Sequence, residues 1–326
     1  MKINKVYQST LQYLKGNYRA CEFALTNICV SKCSFCNIWK QKKKIIVDKD
    51  KAIKTIDCLA DLGVRFITLT GGEPLLHPNI IDFTKRCTKR GIVTAILDAD
   101  PRLFTKEKVE ELKKAGLDYA CISIDHYTDE IEYKSRKIKD LLFHIKNAVE
   151  LLKKNKIKTI ASILISNYNH TELKKLFEKC NDIGFDNIAI NYPEHSLSTV
   201  YELGGNMVRL TPEQTIYALQ EVIKLKKEYN IINPIDSMQN IIKYLKKERV
   251  DYLCFGGNKV LFVDWFFNVY PCMHLAKHFG PIFELTKDKL LKQPCNCCNM
   301  SWYRDFSIYF CGIKSIKPLI KEIKQF

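Results

Sequence analysis

Three cysteines in the first part of the chain have a spacing that could hold an iron-sulfur cluster. They are Cys29, Cys33 and Cys36, which follow one another as CxxxCxxC. Three thiolates at this spacing can bind one face of a 4Fe-4S cube and leave the fourth iron without a protein ligand. The alternative is a structural zinc site, but such sites close four ligands from two separated pairs, and no fourth Cys or His follows nearby. The motif therefore indicates a cluster with one iron open to a ligand.

A second group of cysteines lies toward the end of the chain. Cys254 and Cys272 are separated in sequence, whereas Cys295 and Cys298 form a CxxC pair, so four thiolates could converge and complete a closed cluster. A zinc ribbon is the alternative, but it uses two CxxC pairs, and only one pair here is tight. The additional Cys297 makes that pair ambiguous, since it could ligate in place of Cys298.

The elements that must position the first cysteines alternate between short apolar runs and helical segments. Several helices end at a glycine, as expected for a helix C-cap. Strands that are apolar on both faces and linked by helices form parallel sheets, which can curl into a partial barrel. The predicted strands are 21–26, 65–70, 92–97, 119–125, 157–166 and 187–191. The CxxxCxxC motif directly follows the first strand, at the carboxyl edge of the sheet, where parallel α/β folds place their active sites.

The alternation stops after residue 191 and predicts a change of architecture. Helices are expected near 212–229 and 236–247, the first with Thr211 as its N-cap, followed by a small β-hairpin, the cysteine group and an amphipathic helix. The resulting α/β organisation is a partial (β/α)6 TIM-like barrel with a small C-terminal cluster-binding domain. Its expected parts are an N-terminal extension (1–19), the barrel (20–210), linking helices (211–249), the cluster domain (250–312) and a C-terminal helix (313–326).

Over residues 20–191 the sequence resembles the radical S-adenosylmethionine (radical SAM) superfamily. Its signature is CxxxCxxC with an aromatic residue before the last cysteine, here Phe35. The resemblance implies that SAM binds the open iron and that one-electron reduction cleaves it to a 5′-deoxyadenosyl radical. The second strand ends at a GGEP motif, which in this family holds the SAM amino group. The motif residues are Gly71, Gly72, Glu73 and Pro74.

The resemblance also assigns polar residues after later strands to SAM binding. Ser123 and Asp125 share a face of the fourth strand with Cys121 and correspond to contacts of the ribose or methionine part. Asn169 resembles a ribose-contacting residue of the family, with a plain helix N-cap as the alternative. Arg136 resembles an active-site arginine of several branches, with simple exposure as the alternative.

Residues 250–300 resemble the twitch appendage of radical SAM enzymes, a half-size relative of the SPASM domain. This implies an auxiliary 4Fe-4S cluster on Cys254, Cys272, Cys295 and Cys298. The usual glycine of its motif is replaced by Phe267. About twenty residues precede the first strand, too few for the leader-peptide-binding domain of many peptide-modifying relatives. A small-molecule substrate is therefore the expectation, with a peptide as the alternative.

The expected reaction is a net oxidation in which the auxiliary cluster accepts an electron from the substrate radical. Epimerisation is the rival outcome, and its hydrogen donors would be Cys297 or Cys311. Alternatives of another class are a tRNA-modifying enzyme and a non-catalytic metal-binding module. The implied reductant is a one-electron donor such as flavodoxin or ferredoxin.

Composition limits the cellular setting and the partners. The formal charge is +16, but 43 of the 52 basic residues are lysines spread along the chain, which argues against a nucleic-acid site. No apolar stretch is long enough for a membrane helix, and no signal peptide is apparent. The fourteen cysteines are then expected to be reduced in a cytoplasmic protein.

Overall fold

The structure, a computed structural model, describes most of the chain. The described residues are 13, 16–98, 100–192, 208–273, 275, 277–296, 298–310 and 315. The expected N-terminal extension and C-terminal helix therefore lie largely outside the described residues, as do Cys297, Cys311 and most of the 192–210 loop.

The six predicted strands are confirmed, with ends that differ from the expected ones by no more than two residues. Each strand pairs in parallel with the next along the chain. Their bounds are β1 (Arg19–Ala24), β2 (Val64–Thr70), β3 (Val93–Asp98), β4 (Tyr119–Ser123), β5 (Lys158–Leu164) and β6 (Asn187–Asn191). This succession of strands and helices confirms the α/β class and the partial TIM-like barrel.

Helices connect the parallel strands and bury their apolar side against the sheet. Gly116 and Gly184 end two of them in the left-handed conformation, as a glycine C-cap allows. The connecting helices are α1 (Lys49–Asp61), α2 (Ile80–Lys89), α3 (Lys106–Ala115), α4 (Asp129–Arg136), α5 (Leu141–Lys154) and α6 (Leu173–Ile183).

Two short strands from the C-terminal part join the same sheet. β7 (Val260–Val263) pairs in parallel with β1, and β8 (Val269–Tyr270) pairs antiparallel with β7. The predicted hairpin is therefore present, and the full strand order is β6-β5-β4-β3-β2-β1-β7-β8. The free edge of β1 accepts β7 because the barrel is not closed, and this places the cysteine-rich segment beside the first barrel strand.

Three further helices complete the described fold. They are α7 (Pro212–Leu225), α8 (Ile235–Leu245) and α9 (Ser301–Ile308). Thr211 caps α7 as predicted, with Gln214 completing a capping box. Helix α9 was not predicted. None of the helices in the described part of the chain has the length and hydropathy that crossing a bilayer requires.

Helix α9 packs on the inner face of the sheet. Side chains alternate along a strand, so Glu22 and Phe66 lie on one face, whereas the side chains of Phe23 and Ile67 lie on the other. The Phe306 ring of α9 lies 5.3 Å from the Phe66 ring, centroid to centroid. The helix thus joins the C-terminal part of the chain to the barrel interior.

Candidate functional site

The CxxxCxxC loop is held by hydrogen bonds to its backbone. The Trp39 indole N–H donates to the Cys33 carbonyl oxygen at 3.1 Å, and the Cys36 N–H donates to the same oxygen at 3.3 Å. The Ser34 N–H donates to the Ser135 carbonyl oxygen of α4 at 2.8 Å. The loop is therefore anchored both to the turn that follows it and to the helix after β4.

The thiols of this loop are desolvated and close enough to influence one another. Burial raises the pKa of Cys29 to about 12, with further contributions from the nearby charges of Glu73 and Cys33. Burial also raises the pKa of Cys33 to about 11, although the Arg136 guanidinium acts in the opposite direction. Thiolates at this position need a positive partner, and iron bound to all three would supply it.

The GGEP loop packs directly against the backbone of the cysteine loop. The Gly72 N–H donates to the Thr26 carbonyl oxygen at 2.6 Å, and the Glu73 N–H donates to the Ile28 carbonyl oxygen at 2.7 Å. A Cβ atom on Gly71 would lie 2.3 Å from the Thr26 oxygen, and one on Gly72 would lie 2.2 Å from the Ile28 oxygen. Both glycines are therefore required by the approach of one loop to the other, independently of any ligand.

Glu73 and Pro74 begin a short 3-10 turn, Pro74–Leu76. The fully buried Glu73 carboxylate accepts the Leu75 N–H at 3.0 Å and the Asp100 N–H at 3.3 Å. Glu73 thus connects the loop after β2 with the loop after β3. Its contact with the SAM amino group stays a prediction.

Asp125 and Arg136 form a buried ion pair beside the cysteine loop. Arg136 Nη2 donates to Asp125 Oδ1 at 2.9 Å, and Arg136 Nε lies 2.9 Å from Asp125 Oδ2. Arg136 Nη1 donates to Cys33 Sγ at 3.8 Å, and the guanidinium carbon lies 5.4 Å from the centre of the Phe35 ring. Arg136 is 6% exposed, so the alternative that it is simply a surface residue is wrong.

Two other predicted SAM contacts lie at the ends of β4 and β5. Ser123 is buried at the last position of β4. Asn169 donates through Nδ2 to the carbonyl oxygens of Asp125 and Leu164, both at 2.8 Å, and its Oδ1 accepts the Ser166 N–H. Glu172, not Asn169, occupies the N-cap of α6, so the N-cap alternative for Asn169 is wrong. Asn169 ties the two strand ends together, and its ribose contact stays a prediction.

The residues of the first site fit a cluster by their chemistry. Among the described residues, no three Cys, His, Asp or Glu side chains are already arranged to hold a metal ion. The fit comes from the donors, which are three desolvated thiols on one loop with a buried guanidinium N–H on one of the sulfurs. Such N–H donors to sulfur are typical of cluster environments. Cys29, Cys33 and Cys36 would hold the cluster.

The four C-terminal cysteines lie around a pair of bonded loops. The backbones of Cys254 and Cys295 exchange two hydrogen bonds, of 2.7 and 2.8 Å. A hydrogen bond with the Cys295 thiol, burial and the nearby charges of Cys295 and Cys298 raise the pKa of Cys254. The Gly256 N–H donates to Cys254 Sγ at 3.4 Å. These three thiols are thus close together with a backbone donor on one of them.

Cys272 follows the end of β8, and the residue before it lies close to the Cys254 loop. A Cβ atom on Gly256 would lie 3.2 Å from the carbonyl oxygen of Pro271, the residue before Cys272, and 3.4 Å from Cys254 Sγ. The donor set of buried or half-buried thiols from three segments fits a fully ligated cluster. Cys297, the alternative ligand, and Cys311, which with Cys297 is a predicted hydrogen donor, lie outside the described residues.

Phe267 takes a left-handed backbone conformation, with φ of 66°, between β7 and β8. This region favours glycine, which explains why a glycine is usual at this position. The Phe267 ring packs against the rings of Phe23 and Phe283 at centroid distances of 6.4 and 5.6 Å. The departure from the motif therefore keeps the turn and adds aromatic packing.

Sequence reasoning missed several buried polar residues near the two cysteine groups. Glu132 accepts the N–H groups of Asp125 and His126 at 2.6 and 2.7 Å, and burial raises its pKa to about 8. Glu22 accepts a hydrogen bond from the Tyr303 hydroxyl. Glu22 was detectable, since it interrupts an otherwise apolar strand. Glu132 carries no such signal, because acidic residues are ordinary in the first turn of a helix.

Solved structures with the same fold include proteins bound to S-adenosylmethionine. The structure superposes on native anSMEcpe with bound S-adenosylmethionine and the Kp18Cys peptide with a TM-score of 0.65, at 15% identity, covering 85% of this chain and 81% of that one. For Streptococcus suis SuiB bound to S-adenosylmethionine, the TM-score is 0.63 at 15% identity, covering 95% and 71%. At this identity the likeness concerns the fold.

Curated relatives are similar over most of this chain. The antilisterial bacteriocin subtilosin biosynthesis protein AlbA of Bacillus subtilis (strain 168) is 25% identical over 276 residues, which is 83% of this chain. The chain spans 59% of the length of AlbA. The AdoMet-dependent heme synthase of Methanosarcina barkeri is 25% identical over 251 residues, covering 72% of this chain and 70% of that protein.

A comparison with models of protein families finds one match, which includes both the CxxxCxxC loop and the GGEP loop. The model of the radical SAM superfamily matches residues 23–180, which include the CxxxCxxC loop, the GGEP loop and the Asp125–Arg136 pair. This match covers just under half of the chain, and over that region the chain is similar to the radical SAM superfamily.

Proposed function

We propose that this protein is a radical SAM enzyme that cleaves S-adenosylmethionine reductively, abstracts a hydrogen atom from its substrate and completes a net oxidation with an auxiliary 4Fe-4S cluster as electron acceptor. The observation that carries the first part is the packing of the GGEP loop on the backbone of the CxxxCxxC loop. Because the carboxyl ends of parallel strands meet at one edge, this packing brings both motifs to the same mouth of the barrel.

The chain's own residues prepare the first site. When bound, the cluster and SAM would supply one electron and a 5′-deoxyadenosyl radical. Cys29, Cys33 and Cys36 would hold the cluster, and Arg136 would place a positive charge and an N–H donor beside the Cys33 sulfur. The Asp125 carboxylate binds that guanidinium through its Nε and Nη2 atoms. We assign Ser123, Asn169 and the GGEP residues to the surroundings of SAM.

The second site supports the oxidation part of the proposal. Cys254, Cys272, Cys295 and Cys298 would complete the coordination of an auxiliary cluster, and such a site has no open iron for substrate. A substrate radical becomes an oxidised product when it loses one electron and one proton. A closed cluster is suited to receive that electron, which would then pass to an external acceptor. We propose a flavodoxin or ferredoxin as the partner that supplies the electron for SAM cleavage.

We propose two candidate classes of substrate, a small molecule and a peptide. A small molecule was the expectation from the sequence. A peptide is the second candidate, favoured by the similarity to AlbA, whose name describes bacteriocin biosynthesis. Release of 5′-deoxyadenosine above the substrate-free background, measured with loaded enzyme, SAM and dithionite, would identify which class is used.

Deuterium labelling tests the reaction type once a substrate is known. Turnover in heavy water should give an oxidised product without deuterium at the abstracted carbon. Solvent deuterium at that carbon, with no oxidation and with loss of the label in Cys297→Ala or Cys311→Ala, would establish epimerisation and overturn the oxidation proposal. The matched control is Cys180→Ala, since Cys180 is a buried residue of α6 that belongs to neither cysteine motif.

A further inference from the structure

Arg304 is a buried cation whose terminal nitrogens have no hydrogen-bond partner among the described residues. It lies in α9 and is 3% exposed. Its Nε donates to the Cys298 carbonyl oxygen at 2.6 Å, whereas Nη1 and Nη2 are buried without a hydrogen-bond acceptor among the described residues. Burying an unpaired charge is strongly unfavourable, so an arginine kept in this state indicates an anion that completes its surroundings.

The neighbours of Arg304 that the structure describes do not neutralise its charge. The guanidinium carbon lies 5.2 Å from the centre of the Tyr244 ring, a cation–π contact that leaves the terminal N–H groups unsatisfied. The adjacent Asp305 is engaged elsewhere, because its carboxylate accepts hydrogen bonds from Asn233 and Ser237. In the described part of the chain, no carboxylate forms an ion pair with Arg304.

The position of Arg304 identifies the kind of anion. Its hydrogen bond to Cys298 fixes the guanidinium on the segment that carries one of the proposed cluster ligands. Four thiolates outweigh the positive charge of a 4Fe-4S core, so a fully ligated cluster is an anion and becomes more negative on reduction. We infer that Arg304 is the fixed cation that compensates this cluster and raises the potential at which it accepts an electron. The inference rests on the proposed auxiliary cluster.

The inference predicts the effect of Arg304→Met on the iron-free protein and on the protein loaded with the cluster. In the iron-free chain, Arg304→Met removes a buried uncompensated charge and should leave the melting temperature unchanged or higher. In the loaded chain, the same substitution removes a charge that favours the reduced cluster, so the midpoint potential should become more negative. A purely structural arginine would give a lower melting temperature and an unchanged potential.

The experiment uses the full chain with Cys29, Cys33 and Cys36 replaced by Ala, so that the C-terminal cluster alone contributes to the spectrum. The midpoint potential is measured by redox titration followed by electron paramagnetic resonance. We expect Arg304→Met to lower the equilibrium constant for reduction at least tenfold, a shift of about 59 mV for one electron. Arg304→Lys, which keeps the charge, should shift it less. The control is Arg65→Met, since Arg65 is also buried but donates to the Ala60 and Val64 carbonyl oxygens of the barrel.

Each result decides the inference. An unchanged potential in Arg304→Met, or a lower melting temperature of the iron-free variant, overturns it. If Arg304→Met holds no cluster, recovery of the cluster by Arg304→Lys supports the inference and failure to recover it overturns it. If the parent protein, in which only Cys29, Cys33 and Cys36 are replaced, holds no cluster, the proposed auxiliary cluster is wrong, and the inference is wrong with it. If the parent holds a cluster whose midpoint potential does not change in Arg304→Met, the inference alone is refuted.

Discussion

The hydroxyl of Tyr303 in α9 donates a hydrogen bond to Glu22 Oε2 of β1 at 3.1 Å, in a fully enclosed position. Burial, followed by the nearby charges of Glu22 and Cys272, raises the pKa of Tyr303. Tyr303 therefore lies between the first barrel strand and one of the proposed ligands of the C-terminal cluster. This contact fixes the C-terminal part of the chain on the barrel interior.

Glu22 should make the stability of the iron-free protein fall as pH rises. Burial raises its pKa from 4.5 to about 7, so the folded state binds more protons than the unfolded state between these values. The free energy of unfolding should therefore decrease across this window. Glu22→Gln should remove that decrease and stabilise the protein above pH 7 by up to about 3 kcal/mol.

Urea unfolding at pH 5 and pH 8 measures this difference. The matched control is Glu150→Gln, because Glu150 is exposed on α5 and should leave the pH dependence unchanged. The prediction is contradicted if the free energy of unfolding falls by the same amount from pH 5 to pH 8 in Glu22→Gln and in the unsubstituted protein. Glu22 would then be ionised in the folded state at both pH values.

Gly72→Ala should separate the two motif loops. Its Cβ atom would lie 2.2 Å from the Ile28 carbonyl oxygen, so the backbone after β1 must move. We expect a loss of about 1–3 kcal/mol in the free energy of unfolding and a lower iron content at the first site. Gly280→Ala is the control, since nothing lies within 4 Å of the added Cβ atom and only its positive φ opposes it, at about 1 kcal/mol. Equal effects of both substitutions would refute the loop-packing account.

Arg136→Met should be strongly destabilising because it leaves Asp125 buried without its cation. The expected loss is about 3–5 kcal/mol in the iron-free protein, whereas the double variant Asp125→Leu/Arg136→Met should recover much of it. Arg86→Met serves as control, since the ion pair of Arg86 with Asp57 is partly exposed and should contribute about 1 kcal/mol or less. Urea unfolding measures all of these changes, and a double variant no more stable than Arg136→Met would contradict the pairing.

Cys298→Ala should abolish the C-terminal cluster, whereas Cys297→Ala should preserve it. The reason is that Cys298 is buried and its charge acts on Cys254, which places it within the thiol group. Iron content and the spectrum of the reduced protein, measured with the first site removed, distinguish the two variants. Loss of the spectrum in Cys297→Ala with retention in Cys298→Ala would move the ligand to Cys297.

The strands and the motif loops were predictable because their signals are local. An apolar run ending at a cysteine or glycine motif shows both a strand and its carboxyl end, as for β1 and β2. The parallel pairing of β7 with β1 was not predictable, since it depends on an open barrel edge that exists only in three dimensions. The state of Arg304 was not predictable either, because the lack of an acceptor for its terminal nitrogens among the described residues depends on the three-dimensional surroundings.

Reductive cleavage of SAM tests the central claim most directly. The full chain, reconstituted with iron and sulfide under anaerobic conditions, is mixed with SAM and dithionite, and 5′-deoxyadenosine and methionine are quantified. The account predicts equal amounts of both products from the unsubstituted chain and none from the Cys29→Ala/Cys33→Ala/Cys36→Ala variant, which should still retain roughly half of the iron. Cleavage that persists in the triple variant, or its absence in a chain that carries both clusters, would contradict it.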